Sequence, residues 1–152
     1  MTDPVQFDSR SPRFGLPFLF AGQAQKEAHV NEALAIADGL MHCAIEGTSE
    51  TPPAEPENGQ VWLVGPSPVG DWTGHAGELA MLEMGNWLFV APRDGLRLLD
   101  RSRGQVMHFS NTWQIPQEVP EPSGGATVDA EARAAISDLV VALRVAGIFP
   151  AN

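Results

Sequence analysis

The sequence predicts an α+β fold: an N-terminal helical segment, a small antiparallel β-meander and a C-terminal amphipathic helix. Three observations support this class. A helical period of apolar residues covers the first third of the chain, short apolar stretches separated by turn residues cover the middle, and a second helical period covers the end. With 152 residues, 43% of them hydrophobic, the chain can bury about 70% of the surface that its unfolded form exposes, without a metal or a disulfide.

The first helix is predicted from about Gln25 to about Ile45. Apolar residues recur there at steps of three and four: Val30, Leu34, Ala37, Met41 and Ile45. Gly47 follows where a left-handed residue can end a helix, and Asn31 could instead cap a shorter one. Gly39 inside the helix costs about 1 kcal/mol relative to Ala, which indicates either close packing or a break.

The helix is preceded by a polar, proline-containing stretch. Residues 1–14 are predicted to form an extended arm, which becomes ordered only when it docks on a neighbour, with Phe7 and Phe14 as anchors. The folded domain is predicted over residues 15–116, and a polar linker over residues 117–126 separates it from the last helix.

Five or six strands of an antiparallel meander are predicted in the middle of the chain. The stretches QVWLVG, GELAMLE, NWLFVA, GLRLLD, GQVMHFS and TWQI are separated by Gly, Asn, Asp and Ser. Gly85 with Asn86, and Asp94 with Gly95, are the predicted hairpin turns, because these residue types tolerate positive φ. Each strand is therefore expected to pair with the next one along the chain.

The C-terminal helix is predicted over residues 127–147, with Thr127 as its N-cap and Gly147 after its last turn. Its apolar seam consists of Ala132, Ala135, Ile136, Leu139, Val140, Leu143 and Ala146. A single helix of this length is marginal in water, so the seam must pack on the sheet or on copies of itself. Because apolar residues occupy two sides of the helix, we expect an oligomer or partner contact. The residues assigned to that contact are Ile136, Leu139, Val140 and Leu143.

Composition argues against two kinds of partner. The chain has 19 acidic and 9 basic residues, a formal charge of -10 and a single lysine, Lys26, so we expect no nucleic acid partner. The apolar run from Leu139 to Phe149 is interrupted by Arg144, so no membrane-spanning segment is expected, and the acidic N-terminus predicts no cleaved leader.

The sequence lacks the patterns of metal and nucleophile sites. Its histidines are at least thirteen residues apart: His29, His42, His75 and His108. Without an HExxH or CxxC pattern, neither a metal nor a cofactor is predicted. Cys43, the only cysteine, does not reveal the redox compartment. It is interpreted as a buried helical thiol, because adjacent helical residues point about 100° apart and Cys43 cannot pair with His42 as nucleophile and base.

Three carboxylates could serve glycan hydrolysis. Asp71, Glu78 and Glu83 lie in or beside the strand region, where two of them could flank a sugar ring. In a chain with 19 acids, however, three carboxylates on a sheet and its loops are expected by composition alone. No GxSxG elbow, phosphate-binding loop or GxGxxG pattern is present, so a function without catalysis is predicted.

Four tryptophans lie in or beside the predicted strands. Three of them alternate with strand residues as core positions do: Trp62, Trp87 and Trp113. Trp72 lies in the loop VGDWTGHAGE, so it either folds back onto the core or exposes its ring to a partner. Trp72, Asp71 and His75 form the candidate ligand-binding site, whose aromatic ring, polar groups and glycines suit a sugar and a protein neighbour equally.

Four segments of the chain resemble an uncharacterised domain family of alphaproteobacterial prophages and of the gene transfer agents derived from them. They are GLPFLFAGQAQKEAHVNEAL, NGQVWLVGPSPVGDWTGHAGELA, GNWLFVAPRDG and TVDAEARAAISDLVVALRVAG. The resemblance covers about residues 13–115 and the last helix, and the AGQAQKE and GDWTGHAGE patterns are long and unusual. It implies a structural protein of tail fibres or head spikes, located in a phage-like particle that assembles in the bacterial cytoplasm.

The resemblance further implies a homo-oligomer, a pentamer or a trimer, that forms the base of a head spike or fibre involved in host attachment. Its expected partners are capsid or other particle proteins and a fibre protein. The chain ends directly after the last helix, without the fibre repeats of longer members, which favours a short base or adaptor. Two alternatives stay open: a tail-fibre module that binds host surface polysaccharide around Trp72, and a glycan hydrolase.

Overall fold

The computed structural model describes residues 10–19, 26–120, 123–124 and 129–150. Within these residues the chain forms two α-helices and eight β-strands, which confirms the α+β class with one helix near each end. The strands lie in two sheets and not in one continuous meander. The chain divides into two compact units, Met1–Pro92 and Arg93–Asn152, and this boundary falls inside the predicted domain over residues 15–116.

The first unit contains one helix and five strands within its described part. The elements are α1 (Glu27–Leu40), β1 (Ala44–Ile45), β2 (Thr48–Ser49), β3 (Val61–Val64), β4 (Leu79–Glu83) and β5 (Asn86–Val90). A single 3-10 turn, Gly70–Trp72, lies between β3 and β4. The sheet has the order β2-β3-β4-β5, in which β2 runs parallel to β3 and the other neighbours are antiparallel.

The first helix is shorter than the sequence predicts. It ends at Leu40, and the residues after it leave the helical conformation, with ψ of 124° at Met41 and φ of 46° at His42. Ile45, predicted to be helical, lies in β1 and is fully buried. The segment leaves the helical path because its backbone bonds to β3 instead: the N–H of Glu46 donates to the carbonyl of Val61 at 2.8 Å. Tertiary pairing here overrides the local helical period.

Three smaller expectations about this helix change accordingly. Gly47 does not end α1, and Asn31 lies within it, where its side-chain amide exchanges hydrogen bonds with the backbone of Leu19. Cys43 is buried as predicted but follows the helix. Gly39 does mark close packing, because a Cβ at this position would collide with the Met81 sulfur on β4.

The last part of the predicted arm, residues 10–14, belongs to the first unit. Asp38 of α1, only 2% exposed, accepts hydrogen bonds from the Ser11 hydroxyl at 2.7 Å, from the Arg13 N–H at 2.9 Å and from the Phe14 N–H at 2.6 Å. A buried carboxylate with three donors holds this segment in place. The arm is therefore not free up to residue 14, and residues 1–9 lie outside the described part of the chain.

Arg13 strengthens the same attachment from the other direction. Its guanidinium donates to the backbone carbonyls of Asp38, Gly39 and His42. Carbonyls at the C-terminal end of a helix have no partners within the helix, so this side chain satisfies groups that would otherwise need water. The Asp38 carboxylate thus binds backbone N–H groups of the N-terminal segment. The Arg13 side chain in turn binds backbone carbonyls at and just after the end of α1.

The second unit contains three strands and a helix in the residues described. They are β6 (Arg97–Asp100), β7 (Gln105–Ser110), β8 (Thr112–Gln114) and α2 (Ala130–Val145). Adjacent strands pair antiparallel in the order β6-β7-β8, as local sequence predicts. Asp129 caps α2 by accepting from the N–H of Ala132 at 2.9 Å, so the cap lies two residues after the predicted Thr127. Gly147 follows the helix with a φ of 69°, as expected.

The predicted hairpin turns have different outcomes. β4 and β5 form a hairpin, but its turn residues are Met84 and Gly85, with φ of 49° and 78°. Two positive φ values match the turn that favours right-handed strand twist. Asp94 and Gly95 do not join paired strands, because β5 and β6 belong to different sheets.

Candidate functional site

The loop between β3 and β4 holds the candidate ligand-binding residues, and the structure separates them. Trp72 is fully buried at the end of the 3-10 turn, whereas Asp71 beside it is exposed. The Thr73 hydroxyl donates to the carbonyl of Gly70 at 2.8 Å, which fixes the turn. Trp72 therefore has no exposed face on which a sugar could stack. Of the two alternatives that the sequence left open, the structure shows the one in which the loop aromatic folds onto the core.

Trp72 lies at the centre of an aromatic cluster in the first unit. Its ring meets the ring of Trp87 edge-on, with centroids 5.1 Å apart, and lies 6.5 Å from the ring of Trp62. Val64 and Ala80 complete the buried centre. Edge-to-face contacts at these distances stabilise beyond the area they bury. Trp62 and Trp87 thus lie where the alternation of strand residues predicts, on the core side of β3 and β5.

The described part of the second unit contains a smaller group of packed aromatic rings. Trp113 on β8 is half-buried and meets Phe109 of β7 edge-on, with ring centroids 5.3 Å apart. The two residues are direct cross-strand partners. This pair covers one side of a hairpin and does not form a buried centre like that of the first unit.

His75 and Glu78 form the polar part of the loop. His75 Nδ1 lies 2.8 Å from a carboxylate oxygen of Glu78, and the imidazole ring stacks on Phe89 of β5 at 3.6 Å with an angle of 5° between the planes. Both side chains are about one-third exposed. The carboxylate and the phenyl ring together fix the orientation of the imidazole. The loop therefore presents Asp71 and an oriented His75 to solvent, without the tryptophan.

Two of the three carboxylates suggested for hydrolysis, Glu78 and Glu83, do not converge. Glu78 precedes β4 and Glu83 ends it, so five strand steps separate them by about 17 Å and direct their side chains to opposite faces of the sheet. Glycosidases place their two carboxyl groups roughly 5–9.5 Å apart. Glu83 therefore lies too far from Glu78 to share a sugar ring with it.

Glu83 lies instead beside a small cavity of the first unit. The cavity has a volume of about 220 Å³ and lies between α1 and the β4–β5 hairpin, with Phe18, Glu32 and Leu88 among its lining residues. Burial raises the pKa of the Glu83 carboxyl, and the negative charge of Asp38 raises it further. Burial also raises the pKa of the Cys43 thiol, against the opposing influence of Arg13, so this thiol is not an activated nucleophile.

In the part of the chain that the structure describes, no three His, Cys, Asp or Glu side chains converge as metal ligands. Neither α1 nor α2 combines the length and the apolar character that crossing a membrane requires.

The C-terminal helix exposes the residues that the sequence predicts as an interface. Leu139 is 58% exposed and Ile136 is 38% exposed, while Leu143 is half-buried. Val140, assigned to the same interface, is only 5% exposed and is corrected to a core residue of its own chain. The residues of α2 that its own chain covers at least in part are Arg133, Ser137, Val140, Leu143 and Arg144.

The apolar surface of α2 continues around the helix. Val141 is 53% exposed and Val145 is 86% exposed. The alanines Ala132, Ala134, Ala135, Ala142 and Ala146 are exposed as well. Exposed apolar residues on more than one side of a helix are typical of a helix that other protein covers. Within the described residues this surface of α2 stays uncovered.

Polar contacts hold the covered side of α2 to its own unit. The Arg144 guanidinium binds the Glu118 carboxylate through two nitrogens. After the helix, the carbonyl of Gly147 accepts from the N–H of Val106 on β7 at 2.6 Å. Gln105, 2% exposed, donates to the carbonyls of Pro116 and Ile148 at 2.6 and 2.8 Å. The start of the connection after β8 and the segment that follows α2 are thus both fixed on the sheet of the second unit.

A known protein family matches the part of the chain that runs from α1 to β8. A model of the family described as protein of unknown function (DUF2793) matches residues 30–114, which is more than half of the chain. The chain therefore belongs to this family. The matched range begins within α1 and ends with β8, so α2 lies outside it. The chain has no match among curated proteins.

Proposed function

We propose that this protein is a structural protein of a phage-like particle, in which it forms the oligomeric base of a head spike or fibre that takes part in host attachment. The single observation that carries the proposal is the exposed apolar surface of α2, centred on Leu139 and Ile136. An apolar surface of this extent on a secondary structure element marks an interaction site. A protein that assembles with copies of itself and with particle components provides such a partner.

The resemblance of the sequence supports the same function. The AGQAQKE and GDWTGHAGE patterns are similar to those of domains in alphaproteobacterial prophages and gene transfer agents, where the domains belong to tail fibres and head spikes. The GDWTGHAGE segment contains the 3-10 turn and Trp72, so the most distinctive part of the pattern builds the core of the first unit. The shared sequence patterns therefore support a common fold. In this proposal, α2 supplies the assembly surface.

The two alternatives have weaker support. A module that binds host polysaccharide would use the loop around Trp72, but the buried ring leaves only Asp71 and His75 at the surface. A glycan hydrolase would need paired carboxylates, and Glu83 lies about 17 Å along β4 from Glu78. Neither alternative accounts for the exposed surface of α2.

Particle incorporation tests the proposal with two matched variants. Leu139→Asp and Val141→Asp place the same charge on two residues that are 58% and 53% exposed, on opposite sides of one helix. The two genes replace the natural copy in a strain that produces the particles, and immunoblots measure the chain in purified particles. We expect Leu139→Asp to reduce incorporation and host attachment strongly, and Val141→Asp to change them little.

The outcome that contradicts the proposal is equally specific. Normal incorporation of Leu139→Asp, or absence of the wild-type chain from purified particles, would refute a structural role through this surface. Circular dichroism of both purified variants serves as the control that neither substitution unfolds the chain.

A further inference from the structure

The strand β5 lies at an open edge of the first unit's sheet. The sheet order is β2-β3-β4-β5, and β5 pairs only with β4. At the opposite edge β2 has two residues, whereas β5 has five and contains neither proline nor lysine. Proteins usually shorten, charge or cover such an edge, because its unpaired backbone groups bind other strands. The edge of β5 therefore offers a place where another strand can pair.

The register of the β4–β5 hairpin determines which backbone groups of β5 point outward. Its two-residue turn closes on Glu83 and Asn86, the first hydrogen-bonded pair of the ladder. Such pairs alternate, so Trp87 and Phe89 direct their N–H and carbonyl groups away from β4. The bonds of Leu82, the partner of Trp87, agree with this, because its backbone bonds to the residues just before β3 instead. Among the described residues, the outward groups of Trp87 and Phe89 have no partner.

The cavity between α1 and the hairpin lies on one face of this edge strand. Leu88 of β5 and Phe18 form part of its apolar wall, and Glu32 and Glu83 line it as well. Neither carboxylate has a hydrogen-bond or ion-pair partner in the described part of the chain. Burial, and after it the charge of Asp38, raises the pKa of the Glu83 carboxyl. A cation placed in the cavity would therefore stabilise the charged form of this carboxyl.

A strand added to β5 in the antiparallel direction places one side chain at this cavity. Two of its residues exchange backbone hydrogen bonds with Trp87 and Phe89. The residue between them lies opposite Leu88 and directs its side chain to the same face of the sheet. From there, β4 and Glu83 are two strand spacings away, or about 10 Å. Arginine and lysine match such a cavity, because each extends an apolar stem that carries a cation at its end.

We infer that β5 binds an extended segment of another protein, which pairs antiparallel with its free edge and places an arginine or lysine side chain in the cavity between Glu32 and Glu83. A second copy of this chain fits less well. Two paired β5 strands would bring Asn86 and Leu88 to the cavity, which carry no cation, and each copy adds a charge of -10. The inference goes beyond assembly through α2, since it assigns a surface of the first unit to a partner of a different chemistry.

A synthetic peptide tests this inference on the full-length chain. The probe is an acetylated heptapeptide with arginine at its centre, one valine on each side and threonines outside, and fluorescence anisotropy measures its dissociation constant. We expect it to bind at least about tenfold more tightly than the same peptide with glutamine in place of arginine. Hydrogen exchange at the amides of Trp87 and Phe89 should slow in the complex, because these groups then donate to the peptide.

Backbone methylation separates strand pairing from attraction between charges. N-methyl groups on the two valines remove the donors that face β5 and should weaken binding at least about tenfold. The matched control carries one N-methyl group on the central arginine, whose N–H faces solvent in an antiparallel pair, and should bind within about threefold of the original. If methylation of the arginine weakens binding as much as methylation of the valines, antiparallel addition is overturned.

The two carboxylates are tested in the same assay. Glu83→Gln and Glu32→Gln should each raise the dissociation constant of the arginine peptide at least about fivefold. Glu55→Gln removes an exposed acid away from the cavity and should leave the constant within about twofold. Equal effects of all three variants would show that the net charge of the chain attracts the peptide and that the cavity does not hold the arginine.

Two further results would overturn the inference. One is a failure of the arginine peptide to bind at a concentration of about 1 mM. The other is protection of the β5 amides that grows with chain concentration in the absence of peptide, which would show that a second copy covers the edge. The folded Leu139→Asp variant should bind the peptide as wild type does. A failure of assembly through α2 and a failure of this site are therefore distinguishable.

Discussion

The two units of the chain differ in how completely they bury their own apolar side chains. In its described residues, the first unit buries thirteen hydrophobic side chains, including Trp72 and Ile45, and two polar ones, Ser11 and Asp38. The second unit buries four hydrophobic side chains and two polar ones. Seven large hydrophobic residues are exposed in the described part of the second unit, and four of them lie on α2: Ile136, Leu139, Val141 and Val145. The first unit is therefore built around an aromatic core, whereas the second buries fewer apolar side chains and exposes an apolar helix.

This difference shows that an amphipathic pattern does not reveal which side of a helix its own chain covers. In α2 the covered side carries Arg133 and Arg144, held by hydrogen bonds, and the seam of Leu139 faces outward. In α1 the buried residues are Ala35, Asp38 and Gly39, so that helix also packs through small and polar side chains. Both helices thus pack within the chain partly through small or polar side chains.

The largest expected effect concerns the aromatic core of the first unit. Trp72→Ala should lower the free energy of unfolding by about 3–5 kcal/mol, because it leaves a cavity among Trp62 and Trp87. Urea unfolding followed by circular dichroism measures the loss. Trp113→Ala, in the half-buried pair of the second unit, is the matched control and should cost at least about 1 kcal/mol less.

Two results would contradict this view of the first unit. A loss below about 1 kcal/mol for Trp72→Ala would mean that the ring is not a core residue. Equal losses for Trp72→Ala and Trp113→Ala would remove the proposed difference between the units. Trp72→Phe keeps most of the apolar volume and removes an indole N–H that finds no acceptor among the described residues, so it should cost much less than Trp72→Ala.

The next effect concerns the carboxylate that holds the N-terminal segment. Asp38→Ala should lower the free energy of unfolding by about 2–3 kcal/mol, because it leaves the buried donors of Ser11, Arg13 and Phe14 without an acceptor. Trypsin should then cleave after Arg13 at least about tenfold faster. The exposed acid Glu55 provides the control Glu55→Ala, which should change neither quantity. Unchanged cleavage in Asp38→Ala would show that the segment is held by other contacts.

In the second unit, we expect buried polar contacts to contribute to the free energy of unfolding as the Asp38 contacts do in the first. Gln105→Met keeps the side-chain volume but removes the donors to Pro116 and Ile148, so we expect a loss of about 1–2 kcal/mol. Hydrogen exchange of the β7 amides should speed up, while that of β4 should stay unchanged. Equal acceleration in both units would mean that they unfold as one cooperative body.

The smallest effect concerns Glu83 and pH. Since the folded state raises the pKa of this carboxyl, the folded chain holds the proton more tightly than the unfolded chain. The resulting stabilisation is complete below the unfolded pKa of about 4.3 and is lost as pH rises through the folded value. At pH 7 the free energy of unfolding of Glu83→Gln should therefore equal that of wild type or exceed it by up to about 0.5 kcal/mol. At pH 4 it should not exceed that of wild type. Glu32→Gln in the same cavity is the control. If Glu83→Gln gained more free energy of unfolding at pH 4 than at pH 7, the direction of the pKa shift would be reversed.

Sequence patterns predict the local elements better than the way in which they are combined. The period of α2 and the hairpins β4–β5 and β6–β7 follow from residues close to one another in the chain. The end of α1 could not be predicted in this way, because Ile45 leaves the helical period to join a sheet. The separation of β5 from β6 was also missed, since a turn pair such as Asp94 and Gly95 does not specify that the flanking strands pair.

The candidate sites were predicted in part. Ile136 and Leu139 are exposed, and their role as an interface stays a prediction. The helical period could not show that the chain itself covers Val140, since periodicity gives angles between residues and not their surroundings. Trp72 was left open between core and surface for the same reason. Asp38 and Gln105 were missed entirely, because a buried polar residue is recognised only through distant partners, 24 to 27 residues away for Asp38.

The most direct measurement of the central claim is the mass of the purified chain in solution. Sedimentation equilibrium of wild type, Leu139→Asp and Val141→Asp is compared at equal concentration, with circular dichroism to verify folding. We expect wild type and Val141→Asp to sediment as one species of three or more copies, and Leu139→Asp to sediment as a folded monomer. A monomeric wild type, or a Leu139→Asp variant with the wild-type mass, would contradict the claim that the outward face of α2 assembles this protein.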